Sequence, residues 1–579
     1  MSTNITGAGR PLKTRATVTV GAVLLIFLLL LCRLAHLQLA QADFYRRYAN
    51  QQQILSRSLS ACRGRIFDRE GRLLAASVQR NSVFADPKAI DDPRASAAAL
   101  ASALDLDPER VETKLQKDAY FVWLRRQLSD QLALRVRTMD VPGVHMRAES
   151  KRMYPQGTLA AHIIGFTDVD GRGLAGVEKT MDALLRGLPG AETVLCDGGR
   201  HVFRSSLDRL SKQPSAGLDI HLTIDAYIQQ IVEEELNTAA IRHAPQSAAA
   251  LVLDVRDGAI LGCASWPGFD PGAPTQSPTS HQRNIIVNSA YEFGSVMKPF
   301  CVALALEAGV VEPETEFNCQ NGQWRIGRRL LHDAHPYGTL SVSDIICHSS
   351  NIGAAQIGLA LGAERLHDGI RSFGFGHPTG ISLPGEVGGI VRPLPAWNDY
   401  SVVSVSFGQE LAVTPLAVAR AFAVFPNHGY LVQPRIIRRV SKPGGETIYE
   451  ASEPMLARRV LSARTAAEVM KMLRLVVTEG TGKRAQLEEY PVAGKTGTAQ
   501  LLRPDGRGYS DRRYLASFVG IAPADDPRLV ALVCLKAPSK NGYYGGVAAA
   551  PAVREILRRT LHYLHVPPRQ APKSEGVST

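Results

Sequence analysis

The chain has 579 residues, 45% of them hydrophobic, with 66 Lys and Arg against 54 Asp and Glu for a formal net charge of +12. This length and composition allow about three domains with sizeable cores, so the chain is globular in the main. Its basic residues are scattered rather than blocked among aromatics, which speaks against nucleic-acid binding. Cys32, Cys62, Cys196, Cys263, Cys301, Cys319, Cys347 and Cys534 form no Cys-x-x-Cys pair, and no His cluster has zinc spacing, so neither a metal nor a cofactor is expected.

Arg10, Lys13 and Arg15 precede an uncharged run from Ala16 to Cys32, which the apolar stretch Leu34 to Leu39 lengthens if Arg33 snorkels to the interface. Residues 16–38 are therefore expected to span a membrane. Positive charge before the span places residues 1–15 in the cytoplasm and the rest of the chain outside it. Ala40-Gln41-Ala42 offers a rival signal-peptide cleavage site, but it lies far beyond the apolar run, with Arg33 and His36 between, and an uncleaved anchor fits better. Leu31 before Cys32 argues against lipidation.

Residues 39–240 carry no catalytic pattern and are expected to form a non-catalytic pedestal. Arg63 to Ala75 reads as two strands around a turn at Glu70-Gly71, and its charge density predicts a surface or interface. Ala95 to Asp130 has helical periodicity. The glycines of Asp170 to Glu178 tempt a phosphate-loop reading, but no Gly-Lys-Ser/Thr follows, so a structural turn is expected.

Residues 241–565 are expected to form the catalytic domain, after a helix capped by Asp225 with Ile228, Ile231, Val232, Leu236 and Ala239 on one face. Ala249 to Val255 and Ala259 to Ala264 flank Asp257-Gly258 as a hairpin. Leu515 to Ile521 and Leu529 to Leu535 read as two further strands, followed after Pro551 by a helix with Val553, Ile556, Leu557, Leu561 and Leu564 on one face. Strands at both ends of the domain with helices between imply an antiparallel sheet closed by its N- and C-terminal segments. Residues 566–579 are expected to be a disordered tail.

Within this domain Tyr291 to Phe300 sets Ser295 and Lys298 on one helix face. A serine hydroxyl is a poor nucleophile until a base takes its proton, and a lysine whose pKa is lowered by burial or charge can be that base. Ser349-Ser350-Asn351 and Lys495-Thr496-Gly497-Thr498 follow in the order Ser-x-x-Lys, Ser-x-Asn, Lys-Thr-Gly. This is the motif set of penicillin-binding proteins and serine β-lactamases.

From Arg63 to about Leu564 the chain resembles a class B penicillin-binding protein, specifically the septal peptidoglycan transpeptidase of bacterial cell division. The likeness rests on RGRIFDREGRLLA, AAHIIGFTDVDGRGLAGVEK, LTIDAYIQ, SVMK, SSNIGAAQIGLALG, TGISLPGE, FGQELAVTPL, GKTGTAQ, ASFVGIAPADDPR and YYGG. Phe293 stands where the family commonly has proline. The resemblance implies an α+β fold: a membrane anchor, an extended dimerisation-type pedestal, and a serine β-lactamase-like transpeptidase domain with an antiparallel sheet flanked by helices.

It also implies roles. Ser295 would attack the carbonyl between the two D-alanines of a peptidoglycan stem peptide, with Lys298 as general base. Ser349 and Lys495 would pass the proton to the leaving amine, and Asn351 would hold Lys298 and the substrate amide. Backbone N–H groups of Ser295 and Thr498 would form the oxyanion hole, with Thr496, Gly497 and Thr498 binding the donor. β-Lactams would be captured as mimics. A membrane glycosyltransferase and division proteins would be partners, since no glycosyltransferase domain is evident between residues 38 and 240. An elongation-type transpeptidase, a hydrolytic carboxypeptidase or β-lactamase, and a catalytically silent penicillin-binding scaffold or sensor remain as alternatives. The acceptor diamino acid and the oligomeric state are not legible.

Overall fold

The computed structural model describes residues 10–196, 202–204, 212–451, 456–503, 505 and 508–568. The chain divides into two units, residues 1–61 with 188–215 and residues 62–187 with 216–579.

In the first unit a helix over Arg10–Ala35 continues as a π-helical turn over His36–Ala40. Leu24 to Leu31 are all more than half exposed, and a helix this long and apolar with no protein over it fits a single-pass membrane anchor. A second helix, Ala42–Gln53, follows with Phe44, Tyr45 and Tyr48 exposed. Ile54–Leu59 then pairs antiparallel with Gly190–Cys196, which in turn pairs with Val202–Arg204.

The second unit begins with the expected hairpin, Ile66–Phe67 against Leu73–Ala85, turned at Gly71 with φ +82°. Leu73–Ala85 also pairs with Val122–Arg125 and Val144–Met153. The same sheet gains Asp219–Leu222, and beyond it Ile437–Ser441 and Thr447–Glu450 from much later in the chain. The helical periodicity of Ala95 to Asp130 resolves into two helices, Pro93–Leu104 and Pro108–Leu115, before the strand at Val122 interrupts it.

Of the charged stretch that opens at Arg63, Arg65, Glu70 and Arg72 are exposed as expected, but Arg63 itself is buried. Arg63 donates to Glu178 Oε2 at 2.7 Å and Asp182 Oδ1 at 2.6 Å, and Arg152 donates to Glu178 Oε1 at 2.6 Å, with Glu178 fully buried. Mutual pairing is what permits the burial, because each charge replaces its lost water with an opposite charge. The glycine-rich segment closes this cluster by close backbone approach: a Cβ on Gly173 would lie 1.9 Å from Glu178 O.

The catalytic domain is organised by ten elements: α1 (Ala226–His243), β1 (Ser247–Asp254), β2 (Ile260–Trp266), α2 (Lys298–Glu307), α3 (Val342–His348), α4 (Asn351–Leu361), β3 (Ala493–Leu502), β4 (Tyr509–Ala522), β5 (Leu529–Lys536) and α5 (Ala550–Tyr563). The five strands form one antiparallel sheet in the order β2-β1-β5-β4-β3. Asp225 caps α1, accepting from the N–H groups of Tyr227 and Ile228. Both faces of the central strands are covered, so alternate residues enter two cores. Ala248, Ala250 and Val252 of β1 meet the apolar stripes of α1 and α5. Ala249, Leu251 and Leu253 face a helical layer in which Phe300 of α2 packs against Phe373, Phe375, Phe422 and Phe425.

The expectation of a disordered tail from residue 566 does not hold at its first residue. Val566 is buried, and its carbonyl accepts the Tyr490 hydroxyl at 2.8 Å. Residues 569–579 of that expectation lie outside the described residues.

Candidate active site

Ser295 lies in a 3-10 turn, Gly294–Met297, that leads directly into α2 with Lys298 as its first residue and Pro299 in its first turn. The missing N–H of Pro299 costs nothing there, since first-turn donors have no helical partner. Gly294 takes φ +54°, and Gly408 closes on it so tightly that a Cβ on Gly408 would lie 2.2 Å from Gly294 O. Ser295 is half-buried, and Lys298 is completely buried beneath it.

α3, which begins in a Ser341–Asp344 capping box, ends at Ser349, whose backbone is left-handed at φ 63°, ψ 40°. A non-glycine residue held there stores about 1–3 kcal/mol of strain, the kind of local cost that clusters at functional sites. The turn aims both the carbonyl and the hydroxyl of Ser349 at lysines. Lys298 Nζ donates to Ser349 O at 2.5 Å and Asn351 Oδ1 at 2.8 Å, with Ser349 Oγ at 3.3 Å. Lys495 Nζ reaches Ser349 Oγ at 2.9 Å. The structure thus joins Lys298, Ser349, Asn351 and Lys495 in one network. The Ser295 hydroxyl, one turn ahead of Lys298, makes no side-chain hydrogen bond among the described residues.

Burial pushes the Lys298 pKa well below 10.5, with the Lys495 charge adding to the effect. Burial likewise lowers Lys495 to about 7. A neutral amine has two N–H donors and one lone pair. Two carbonyl oxygens, Ser349 O and Asn351 Oδ1, can take both N–H groups, which leaves the lone pair of Lys298 to receive a proton.

β3 carries the third motif along the outer edge of the sheet, paired on one side to β4 only. Such an edge presents unpaired backbone groups on which an extended peptide can add as a further strand. Gly497 lets β3 lie against the nucleophile turn: a Cβ there would sit 2.4 Å from Ser517 Oγ, 2.6 Å from Val296 Cγ2 and 2.7 Å from Phe293 O. The Thr496 and Thr481 hydroxyls are 2.7 Å apart, and Thr498 Oγ1 accepts the Gly545 N–H at 3.0 Å.

Asp333 is a member of the site that sequence reasoning missed. It follows a short hairpin, Gln323–Ile326 with Arg329–His332, and accepts from the Ser350 hydroxyl at 2.6 Å and from the N–H groups of Asn351 and Ile352. His332 O accepts the Asn351 side-chain N–H at 2.8 Å. Asp333 thereby holds the first turn of α4, and with it the Asn351 oxygen that fixes Lys298. Its only signal in the sequence is a lone carboxylate ahead of the Ser-x-Asn motif, a pattern too common to single out.

The chain matches the model of the penicillin-binding protein dimerisation domain over residues 58–222 and that of the penicillin-binding protein transpeptidase domain over residues 248–558. It is 33% identical over 570 residues to the probable peptidoglycan D,D-transpeptidase PenA of Neisseria meningitidis, covering 98% of this chain and 95% of that one. It is also 33% identical to the peptidoglycan D,D-transpeptidase FtsI of Escherichia coli K12, covering 96% and 92%. Among solved structures it resembles a peptidoglycan synthetase from Bifidobacterium adolescentis, with a TM-score of 0.72, 25% identity, and coverage of 91% of this chain and 100% of that one. It also resembles penicillin binding protein 3 of Mycobacterium tuberculosis in complex with aztreonam, with a TM-score of 0.68, 28% identity, and coverage of 89% and 98%. With both domains present in this order, and likeness to D,D-transpeptidases running almost from end to end, the chain belongs to the class B penicillin-binding proteins and is a penicillin-binding serine transpeptidase.

Proposed function

We propose that the protein cross-links peptidoglycan stem peptides at the division septum through an acyl-enzyme on Ser295. The observation that carries this reading is the buried Lys298, its pKa lowered by burial and by the Lys495 charge, held by Ser349 O and Asn351 Oδ1 next to the nucleophile turn.

On binding, a donor strand pairs with the open edge of β3 and places its terminal carboxylate by Lys495, Thr496 and Thr498. The Ser295 hydroxyl rotates onto the Lys298 lone pair. Its oxygen bonds to the carbonyl carbon between the two D-alanines while its proton passes to Lys298. The N–H groups of Ser295 and Thr498 hold the oxyanion, each such donor being worth about 3 kcal/mol in the transition state. The C–N bond then breaks, and Lys298 returns the proton through Ser349 and Lys495 to the departing D-alanine nitrogen. An amine from a second stem peptide attacks the ester carbonyl and loses its proton to Lys298; the C–O bond to Ser295 then breaks as Lys298 returns that proton to the serine oxygen, completing the cross-link and freeing Ser295. β-Lactams stop at the acyl stage because their ring nitrogen stays tethered.

In this reading the N-terminus is cytoplasmic, the catalytic domain faces the wall, and a membrane glycosyltransferase supplies the glycan strands. The LPGE stretch at 383–386 and the GFTDVDG stretch at 165–171 favour the septal role. The test is labelling of the native chain and Ser295→Ala with a fluorescent penicillin, followed by mass mapping. A long-lived adduct on Ser295, absent from the variant, is expected; a folded native chain that takes no label refutes the catalytic reading. Depletion in cells should give filaments with blocked septa, and rounded cells would refute the septal assignment.

A further inference from the structure

A cavity of about 470 Å³, which shares no residue with the network around Lys298, gathers guanidiniums from three separate elements. Arg371 comes from the last turn of the helix Ala363–Ser372, which follows α4 directly after Gly362. Arg420 comes from the helix Pro415–Phe422 and Arg458 from the strand Leu456–Arg459. His377 and one carboxylate, Asp368, also line the cavity. Asp368 Oδ1 is already paired with His367 Nδ1 at 2.9 Å. None of the three guanidiniums has a carboxylate within ion-pair distance among the described residues.

Each guanidinium is fixed along one side and open on another. Arg420, buried in the wall, donates through Nε to Val432 O at 2.9 Å, and its Nη2 lies 3.5 Å from Gln433 Oε1. Its Nη1 has no hydrogen-bond partner among the described residues, and Gly374 keeps the space beside it clear, since a Cβ there would lie 3.1 Å from that nitrogen. Arg458 Nη2 donates to Arg371 O at 3.0 Å and Ser372 O at 2.5 Å, and Arg371 Nη2 lies 3.0 Å from His377 Nε2. The Nη1 groups of both are likewise unpartnered among the described residues. Burial lowers the Arg420 pKa to about 10, and the Arg458 charge adds more to that effect than Glu386 offsets. A buried cation that meets a second cation ahead of any carboxylate is costly until an anion joins them.

The placement of the free donors bears on which anion fits. The two coplanar oxygens of a carboxylate are satisfied by the fork of a single guanidinium. Three guanidiniums reaching in from three elements suit a tetrahedral group, whose oxygens point in several directions, and arginine forks match phosphate oxygens in pairs. We propose that this cavity is a phosphate-group site, holding a phosphate monoester or diphosphate between Arg371, Arg420 and Arg458. The bound group removes the repulsion among the cations and clamps two helices and a strand together. A free phosphate compound and a lipid headgroup carry the same chemistry, and the source is a matter for experiment. The site takes no part in the reaction at Ser295, so it stands or falls apart from the reading above.

The test uses the full chain in detergent. Equilibrium dialysis with radiolabelled orthophosphate and pyrophosphate, at ionic strength held constant with sodium chloride, should show saturable binding of one ion per chain, with a Tm raised by about 2 °C or more at saturation. Arg420→Met should weaken that binding at least about ten-fold, whereas Arg110→Gln, which removes one exposed pedestal charge, should leave it within two-fold. Penicillin labelling reports that each variant is folded. If Arg420→Met fails to fold, Arg371→Gln and Arg458→Gln take its place with the same expectation. Micelles doped with phosphatidic acid, set against phosphatidylcholine, distinguish the source: a Tm rise there without one from the free ions, lost in the arginine variants, keeps the phosphate chemistry and assigns it to a lipid. Malonate binding as tightly as phosphate overturns the inference, as does phosphate binding that the arginine variants leave intact, or a native chain that responds to neither free nor lipid-borne phosphate.

Discussion

Replacing Asp333 tests how the site holds its base. The carboxylate accepts three hydrogen bonds, from the Ser350 hydroxyl and the N–H groups of Asn351 and Ile352. Hydrogen bonds to a charged group contribute about 1.5–3 kcal/mol each. Asp333 is half-buried, so water replaces part of that in Asp333→Ala, and the expected loss of stability is about 3 kcal/mol. The kinetic effect is larger in kind, because Asn351 Oδ1 is one of the two oxygens that orient the Lys298 amine. A drift of roughly 1 Å there should slow acylation about 100-fold. Asp333→Asn keeps one oxygen for the two N–H groups and surrenders the bond from Ser350, so an intermediate loss of about ten-fold is expected. The assay is the second-order rate of labelling by a fluorescent penicillin, quenched by denaturant, alongside the Tm of each variant. If folded Asp333→Ala acylates within two-fold of native, or if Asp333→Asn is as slow as Asp333→Ala, the positioning argument is wrong.

Acylation should fail on the acid side as Lys298 protonates, and Lys495→Met should move that limb to higher pH, because the variant removes a positive neighbour that lowers the Lys298 pKa; a stopped-flow pH profile with an unmoved limb would break the link between the two lysines. Gly497→Ala drives a methyl to within 2.7 Å of Val296 Cγ2 and Phe293 O, so acylation should drop by more than about 100-fold for a stability cost of only about 1–3 kcal/mol, read from rate and Tm together. Glu178→Ala strands the Arg152 charge in the pedestal and leaves Arg63 only Asp182, and should cost about 3–5 kcal/mol in denaturant unfolding, whereas a loss under 1 kcal/mol would mean that water replaces the carboxylate.

What was legible in the sequence was whatever depends on neighbours along the chain. Asp225 and its cap, the Asp257-Gly258 hairpin and the apolar stripes of α1 and α5 follow from local spacing and rotamer geometry, and they stand where they were read. The three motifs were legible because their chemistry restricts residue type. Asp333 was not, because what singles it out is a hydrogen-bonding geometry made by the fold rather than a spacing. The left-handed turn at Ser349 was hidden too, since nothing in Ser-Ser-Asn announces a positive φ. Arg63 misled in the opposite sense: read from its sequence neighbours a charged residue belongs on a surface, and only its meeting with Glu178 in three dimensions permits burial. The strands at 437–450 that complete the pedestal sheet lie too far along the chain for local pattern to assign.

The order of strands in the catalytic sheet has a consequence for how the protein is made. β1 lies between β2 and β5, with Asp254 opposite Leu529, so the central pairing of the sheet awaits a strand synthesised near the end of the chain. Ser295 and Lys298 leave the ribosome long before β3, β4 and β5 exist to wall them in. Non-local pairing of this kind folds slowly and leaves apolar strand edges bare meanwhile. A nascent chain therefore holds its nucleophile early and its catalytic geometry only when nearly complete. A transpeptidase assembled in this sequence stays silent until its last strands are in place.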